Sequence, residues 1–306
     1  MNYTEKNGYK ISELTLGTVQ LGIPYGINNT YGMPDYEKSA EILTTALDNG
    51  ILSFDTAKAY GKSEAVLGKY FSASDEEKTI ITKVAFDNEP VCEVKESLFK
   101  KVRDSINILG IDKIPCLLLH SESYIETYGK TLTDALCELK KEGLVTDVGI
   151  SFSSKEKLLE YTNPDIFTAV QIPMNMLDST EISDRSVLKL YENGVSVYVR
   201  SVYLQGLFFK DTDTLPPKLQ CAKDSLDRLH NLALDNNMSM QQMALSFIKD
   251  TKEITSLVMG CDTKEQLLES ISLFDAPSLS DELKEKILDI AQSTPEIVIR
   301  PWEWNK

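Results

Sequence analysis

The chain has 306 residues, with 32 Lys and Arg against 47 Asp and Glu, a formal charge of −15 at pH 7 and a pI near 4.7. This acidic balance excludes nucleic acid and anionic membrane surfaces as main partners, because both need a basic footprint. The 42% hydrophobic and 26% charged content is that of a globular protein with ample core.

No apolar run approaches the ~20 residues of a membrane span, and the start, MNYTEKNGYK, is polar without an apolar signal core. Cys92, Cys116, Cys137, Cys221 and Cys261 are scattered, with no CxxC pair, so no disulfide framework is expected. His120 and His230 are the two histidines, and no Cys/His cluster has metal-ligand spacing. The expectations are a cytoplasmic protein without a metal, acting on a small molecule as a monomer or small homo-oligomer.

Short apolar runs alternate with amphipathic stretches along the chain. The runs read as strands are 14–17, 51–56, 79–84, 115–120, 145–151, 167–172, 195–200 and 254–260. Between them Val94, Leu98, Val102 and Ile106 step by four, and Leu132, Ala135, Leu136 and Leu139 share a face. Ser153-x-x-Glu156, Ser239-x-x-Gln242 and Thr263-x-x-Gln266 read as capping boxes. Two helical patterns, 218–236 and 239–250, precede the eighth strand. A last helix near 280–292 and the tail IVIRPWEWNK follow it. Eight strand–helix units predict a (β/α)8 TIM barrel spanning 1–306 as one domain, with the last helix and tail over the barrel. A doubly wound open sheet is the alternative, but the first turn, GTVQLGIPYG, lacks G-x-G-x-x-G.

Four polar residues fall at or just past the ends of consecutive strands. Asp55 ends the second, Tyr60 follows five residues on, Lys83 ends the third and His120 the fourth. In a barrel this rim carries the chemistry. A Lys inside TIITKV is costly to bury unless paired, and Asp55 lies one strand away. A tyrosine is a poor proton donor at neutrality until a nearby ammonium stabilises its phenolate. Held by Asp55, Lys83 would do this for Tyr60, while His120 directs a substrate oxygen toward the phenol. Such a phenol is a general acid for a carbonyl being reduced, or a base for an alcohol being oxidised.

The segment FDTAKAYGKSEAVLG (54–68) resembles the D-T-A-x-x-Y-G-x-S-E-x-x-L-G signature of the aldo-keto reductases. LGT (16–18), ITK (81–83), LLLH (117–120), LKKEGLVTDVGIS (139–151), QIPMN (171–175) and the helix entry after VMG (258–260) match in family order. The resemblance implies a metal-free and flavin-free barrel oxidoreductase that uses NADPH or NADH. Asp55, Tyr60, Lys83 and His120 match the family's catalytic tetrad, with Tyr60 the proton donor. Thr18, Asp55, Ser151 and Gln171 fall where the family holds the nicotinamide and its ribose, with Gln171 on the carboxamide.

This chain departs from the family in three places. Phe152 replaces the usual Asn after Ser151. Arg200, in RSVYLQG, stands where the family stacks a Tyr on the nicotinamide ring; an Arg plane can also stack, reach for substrate, or pair with an acid. Gly260 and Gln266 replace the Lys and Arg that often hold the 2′-phosphate of NADPH. Asp262 adds negative charge there, Lys264 is the one cation on that loop, and Ser270 stands at an Asn position for the adenine. A weakened preference for NADPH, leaving either NADPH or NADH open, is the expectation on these grounds.

For substrate, the polar first loop (20–34) offers Tyr25 and Asn28, Ala85 stands where many members have Trp, and the tail offers Arg300 and Trp302. Polar loops with a few aromatics suggest a hydroxylated aldehyde or ketone, such as a sugar or sugar derivative in carbohydrate metabolism. Two other functions use the same residues: a regulatory nicotinamide-binding barrel acting as a redox sensor, and an aldolase with Lys83 as Schiff-base nucleophile.

Overall fold

The computed structural model describes residues 1–27, 29, 32–73 and 76–304. It opens with a hairpin, β1 (Tyr3–Lys6) and β2 (Tyr9–Ser12). The turn is Asn7-Gly8, with φ of 46° and 87°, the left-handed pair that a two-residue hairpin requires. The polar N-terminus was not expected to pair, although Asn-Gly is the strongest short-range hairpin signal. The hairpin covers the N-terminal end of a barrel. Asn7 and Tyr9 donate to the buried Asp147 carboxylate, and Lys6 donates to the carbonyls of Thr168 and Gly194.

Eight parallel strands close the barrel: β3 (Leu14–Gly17), β4 (Ser53–Asp55), β5 (Thr79–Val84), β6 (Ile114–Leu119), β7 (Val145–Ser151), β8 (Ala169–Pro173), β9 (Ser196–Arg200) and β10 (Ser256–Gly260). They pair in chain order, and β10 returns to pair with β3. This is the expected (β/α)8 TIM barrel. Four strands are shorter than the apolar runs at 51–56, 167–172, 195–200 and 254–260. Ile51 and Phe167 are buried in the approach turns without joining the ladder.

Helices α1 (Tyr36–Asp48), α2 (Ser63–Phe71), α3 (Val94–Leu109) and α4 (Ser123–Lys141) follow β3 to β6. Short helices α5 (Leu158–Tyr161), α6 (Thr180–Ser183) and α7 (Ser186–Glu192) follow β7 and β8. Helices α8 (Lys223–Asp235) and α9 (Met240–Lys249) fill the long seventh unit, and α10 (Lys264–Phe274) and α11 (Asp281–Gln292) end the chain's regular structure. The caps at Ser239 and Thr263 form as expected, each accepting from the N–H three residues on. The box at Ser153 does not. Glu122 takes the N–H groups of Ser153 and Ser154, and the helix starts only at Leu158.

The barrel interior packs Ile81, Cys116, Leu118, Ala169, Tyr198 and Val258, with Ile11 of the hairpin at one end. A second, larger apolar layer joins the outer faces of the strands to the helices. In the tail, Trp304 is buried and donates to the Ile297 carbonyl, whereas Trp302 stays 40% exposed. No described helix is long and apolar enough to cross a membrane.

Candidate active site

Lys83 and Asp55 form the centre of the site. Lys83 points inward from β5, with no side-chain exposure, and its ammonium lies 2.6 Å from Asp55 Oδ1 on adjacent β4. It also donates to the Thr56 carbonyl at 2.9 Å, and it lies 5.0 Å from the centre of the Tyr60 ring. Burial alone would disfavour the ammonium, but Asp55 and Tyr60 outweigh it and raise the Lys83 pKa, so the ammonium stays charged at neutrality. Asp55 Oδ1 accepts a second bond from Gln171 Nε2 at 2.8 Å, across the barrel from β8.

Tyr60 sits in the loop after β4 and faces both neighbours. Lys83 Nζ is 5.0 Å from its ring centroid, and the His120 ring meets it edge-on with centroids 5.7 Å apart. The loop is held by a close approach: a Cβ on Gly22 would come 1.8 Å from the Tyr60 carbonyl oxygen, so only glycine fits there. Next to it, Ser63 donates to the Thr18 carbonyl, and Glu64 accepts from Thr82 and Ser105 inside the core. The Ser-Glu pair of the signature segment thus packs the loop that carries Tyr60.

His120 follows β6, its N–H bonded to the Val84 carbonyl. Burial, with the positive charges of Lys83 and Arg200, pulls its pKa down to about 4. The ring is therefore a neutral hydrogen-bond donor at pH 7. In the unfolded chain the ring binds a proton below pH ~6.5. The folded protein refuses that proton until about pH 4. This contribution to stability is intact above pH ~6.5 and is lost as the pH falls toward 4, by up to ~1.4 kcal/mol per pH unit. His120→Gln is expected to remove that part of the acid sensitivity. Chemical denaturation of both proteins at pH 7 and pH 4.5 measures it, and an unchanged difference between the two proteins would refute the assignment.

An open cavity of about 630 Å³ lies at the C-terminal face of the barrel. Asp55, Ser151 and Arg200 line it from the strand ends, Tyr60 and His120 from the loops that follow, and Gly260, Asp262, Gln266 and Ser270 from the β10–α10 junction. Tyr25 and Trp302 stand on its walls. Its size suits a cofactor with a small substrate.

Several expected residues lie elsewhere. Thr18 is fully buried and donates to the Asp55 carbonyl. Gln171 is buried with both amide atoms engaged, by Asp55 and Ser151, and does not line the cavity. Ala85 presents its carbonyl to Lys101, and Arg300 pairs with Glu296 and Glu303 over a neighbouring groove. Asn28 falls outside the described residues.

The departures take definite form. Phe152 is buried; its N–H bonds the Gln171 carbonyl, and its own carbonyl accepts from Arg200 Nη2 at 2.9 Å. Arg200 bonds Ser201 and this carbonyl, not an acid. At the β10–α10 junction, Gln266 Oε1 accepts the Asp262 N–H at 2.8 Å, and Lys264 pairs with Glu41 at 3.4 Å. Asp262 accepts from Asn29, and burial raises its pKa.

Two lining residues had no role assigned from sequence. Gln20 Oε1 is buried without a partner, and a Cβ on Gly260 would come 2.4 Å from it. Asn175 Nδ2 is likewise buried and unpartnered. An orphaned acceptor on the cavity wall fits the hydroxyl and amide groups of a dinucleotide, which would satisfy it. Among the described residues, no group of three or more His, Cys, Asp or Glu side chains could hold a metal.

The chain and its barrel have counterparts among known proteins. The chain is 25% identical over 307 residues to L-glyceraldehyde 3-phosphate reductase of Escherichia coli, covering 88% of this chain and 86% of that protein. It is 23% identical over 291 residues to an uncharacterized oxidoreductase of Bacillus subtilis, covering 89% and 90%. In fold it matches an aldo-keto reductase from Bacillus halodurans, holo form, with a TM-score of 0.74 at 22% identity over 98% of this chain and 99% of that one. The model of the aldo/keto reductase family matches residues 13–291, nearly the whole barrel, and the chain belongs to that family of NAD(P)-dependent oxidoreductases.

Proposed function

We propose that the whole chain works as one domain that reduces an aldehyde or ketone, or oxidises the corresponding alcohol, with Tyr60 as general acid or base. The observation that carries this reading is the buried Lys83–Asp55 pair set directly behind the Tyr60 phenol, with neutral His120 on its other side.

A bound nicotinamide would supply the hydride to the carbonyl carbon. Ser151, Arg200, Gly260, Asp262, Gln266 and Ser270 line the cavity that would hold it, with Gln20 Oε1 an unpaired acceptor. Thr18 and Gln171 act behind this surface by fixing Asp55. The substrate carbonyl accepts hydrogen bonds from the Tyr60 O–H and a His120 N–H. As the carbonyl oxygen gains charge it takes the Tyr60 proton. The Lys83 ammonium stabilises the phenolate left behind, and Asp55 keeps that ammonium in place. Water entering from the open side returns the proton to Tyr60. In the direction of oxidation the same residues run the proton the other way.

NADH is the favoured cofactor on this reading. No described Lys or Arg lines the cavity from the β10–α10 junction, Lys264 is engaged by Glu41, and Asp262 and Glu269 supply negative charge. A 2′-phosphate there meets no cation. Tyr25 and Trp302 flank a polar space suited to a small hydroxylated carbonyl compound, in keeping with a relative named for a triose phosphate. Ala85 and Arg300 have no part in it.

Titration of the protein with NADH and NADPH, followed by nicotinamide fluorescence, tests the reading. NADH is expected to bind at least as tightly as NADPH. Gln266→Arg is expected to shift the ratio toward NADPH by about tenfold, the worth of one charge-assisted contact. A strong NADPH preference in the wild type would refute the cofactor assignment. Binding of neither dinucleotide would remove the oxidoreductase mechanism.

A further inference from the structure

The cavity is electrically lopsided. Arg200, at the end of β9, is the one Lys or Arg among the described residues that line it. Asp262 and Glu269 line it from the β10–α10 junction. The Arg200 guanidinium donates one N–H to the Phe152 carbonyl and one to Ser201 Oγ. Three of its five N–H donors are left over. Among the described residues no carboxylate pairs with it. A half-buried cation without a counter-ion is costly, and an anionic ligand group would complete it.

Asn175 provides a second donor. Pro173 on β8 pairs with Arg200 on β9, and Met174 donates its N–H to the Arg200 carbonyl, so Asn175 leaves the barrel beside Arg200. Its side chain lines the cavity, in a residue only 1% exposed. Oδ1 accepts the Leu177 N–H at 3.0 Å, which settles the amide's orientation. Nδ2 is left with two N–H groups and no partner. A free guanidinium and an orphaned amide donor together are what a carboxylate or phosphate binds. Both line the same cavity as Tyr60 and His120, and Arg200 is near enough to His120 to help lower its pKa.

We propose that Arg200 and Asn175 form an anion subsite that selects carbonyl substrates bearing a carboxylate or phosphate a few bonds from the reacting carbon. This rests on the oxidoreductase reading above and adds the substrate's charge to it. Hydride and proton transfer are unchanged; the pair orients the substrate and sets its specificity.

The test uses the full chain with saturating NADH or NADPH and two matched pairs of aldehydes. These are succinic semialdehyde against butanal, and glyceraldehyde 3-phosphate against glyceraldehyde. The expected kcat/KM is higher by about tenfold or more for the anionic member of at least one pair. Whichever pair responds identifies the anion as carboxylate or phosphate. Arg200→Met abolishes that preference and Arg200→Lys keeps part of it. Asn175→Asp retains the acceptor for the Leu177 N–H but turns the donor into a negative charge. It raises KM for the anionic aldehyde more than for its neutral partner.

Equal kcat/KM within both pairs overturns the subsite and leaves the oxidoreductase reading standing. An Arg200→Met variant that loses dinucleotide affinity but keeps the anionic preference also overturns it. If neither dinucleotide binds and no aldehyde turns over, the oxidoreductase reading has failed. The subsite is then read directly by calorimetric titration with succinate and with glycerol 3-phosphate. Binding that Arg200→Met abolishes supports the subsite, and no binding overturns it.

Discussion

Tyr60→Phe is expected to lower kcat by ~10²–10⁴-fold, the range contributed by a positioned general acid, while dinucleotide affinity changes little. The substitution removes one oxygen and keeps the ring, so the edge-on packing against His120 is retained. Neighbouring groups do not replace the lost acid. His120 is neutral at pH 7, because burial and two nearby cations pull its pKa down to about 4. A neutral imidazole can orient a carbonyl through its N–H, but it is a very weak acid. The Lys83 ammonium is fully buried, and its raised pKa makes it a reluctant donor. Steady-state kinetics with the best aldehyde found, alongside fluorescence titration of the cofactor, separates chemistry from binding. Turnover within threefold of wild type would show that the proton comes from elsewhere, and the site would have to be reassigned.

Much of this centre was legible in the sequence for a simple physical reason. Asp55, Lys83 and His120 stand at the ends of apolar runs, where a barrel opens its rim, and polar residues there need a purpose. The long signature segment is constrained by packing as well as by chemistry: Gly22 lets the Tyr60 loop approach, and Ser63 and Glu64 bond behind it. Arg200 was legible as a departure, but its lack of an acidic partner belongs to the folded state. The same is true of Gln20 and Asn175, whose interest is an atom left without a partner. Sequence could not show that Gln171 reaches across the barrel to Asp55, because that contact joins residues 116 positions apart. Local packing also decided the loop residues. Ala85 and Arg300 lie near the rim in sequence yet do not line the cavity; the Ala85 carbonyl accepts from Lys101, and the Arg300 guanidinium pairs with Glu296 and Glu303.

Asp55→Asn is expected to destabilise the fold by ~3–5 kcal/mol, the cost of stranding a buried charge, and to remove most activity. The side chain keeps its shape, so no cavity opens, but the ammonium of Lys83 loses its counter-ion where there is no solvent to replace it. Lys83→Met should cost less stability. The Asp55 carboxylate would still accept from Gln171 at 2.8 Å and lies on the wall of the open cavity, where water can reach it. The double variant should be more stable than the sum of the two single losses predicts, since removing both charges leaves neither stranded. Activity should behave differently, because Lys83→Met alone removes the charge that stabilises the Tyr60 phenolate. The double variant would then recover stability without recovering turnover. Denaturant unfolding of the three variants, with kcat measured on each, checks both halves. An Asp55→Asn protein as stable as wild type would mean that the ammonium does not depend on Asp55. A double variant that regains activity would mean that the pair acts on the fold alone and that Tyr60 needs no cation behind it.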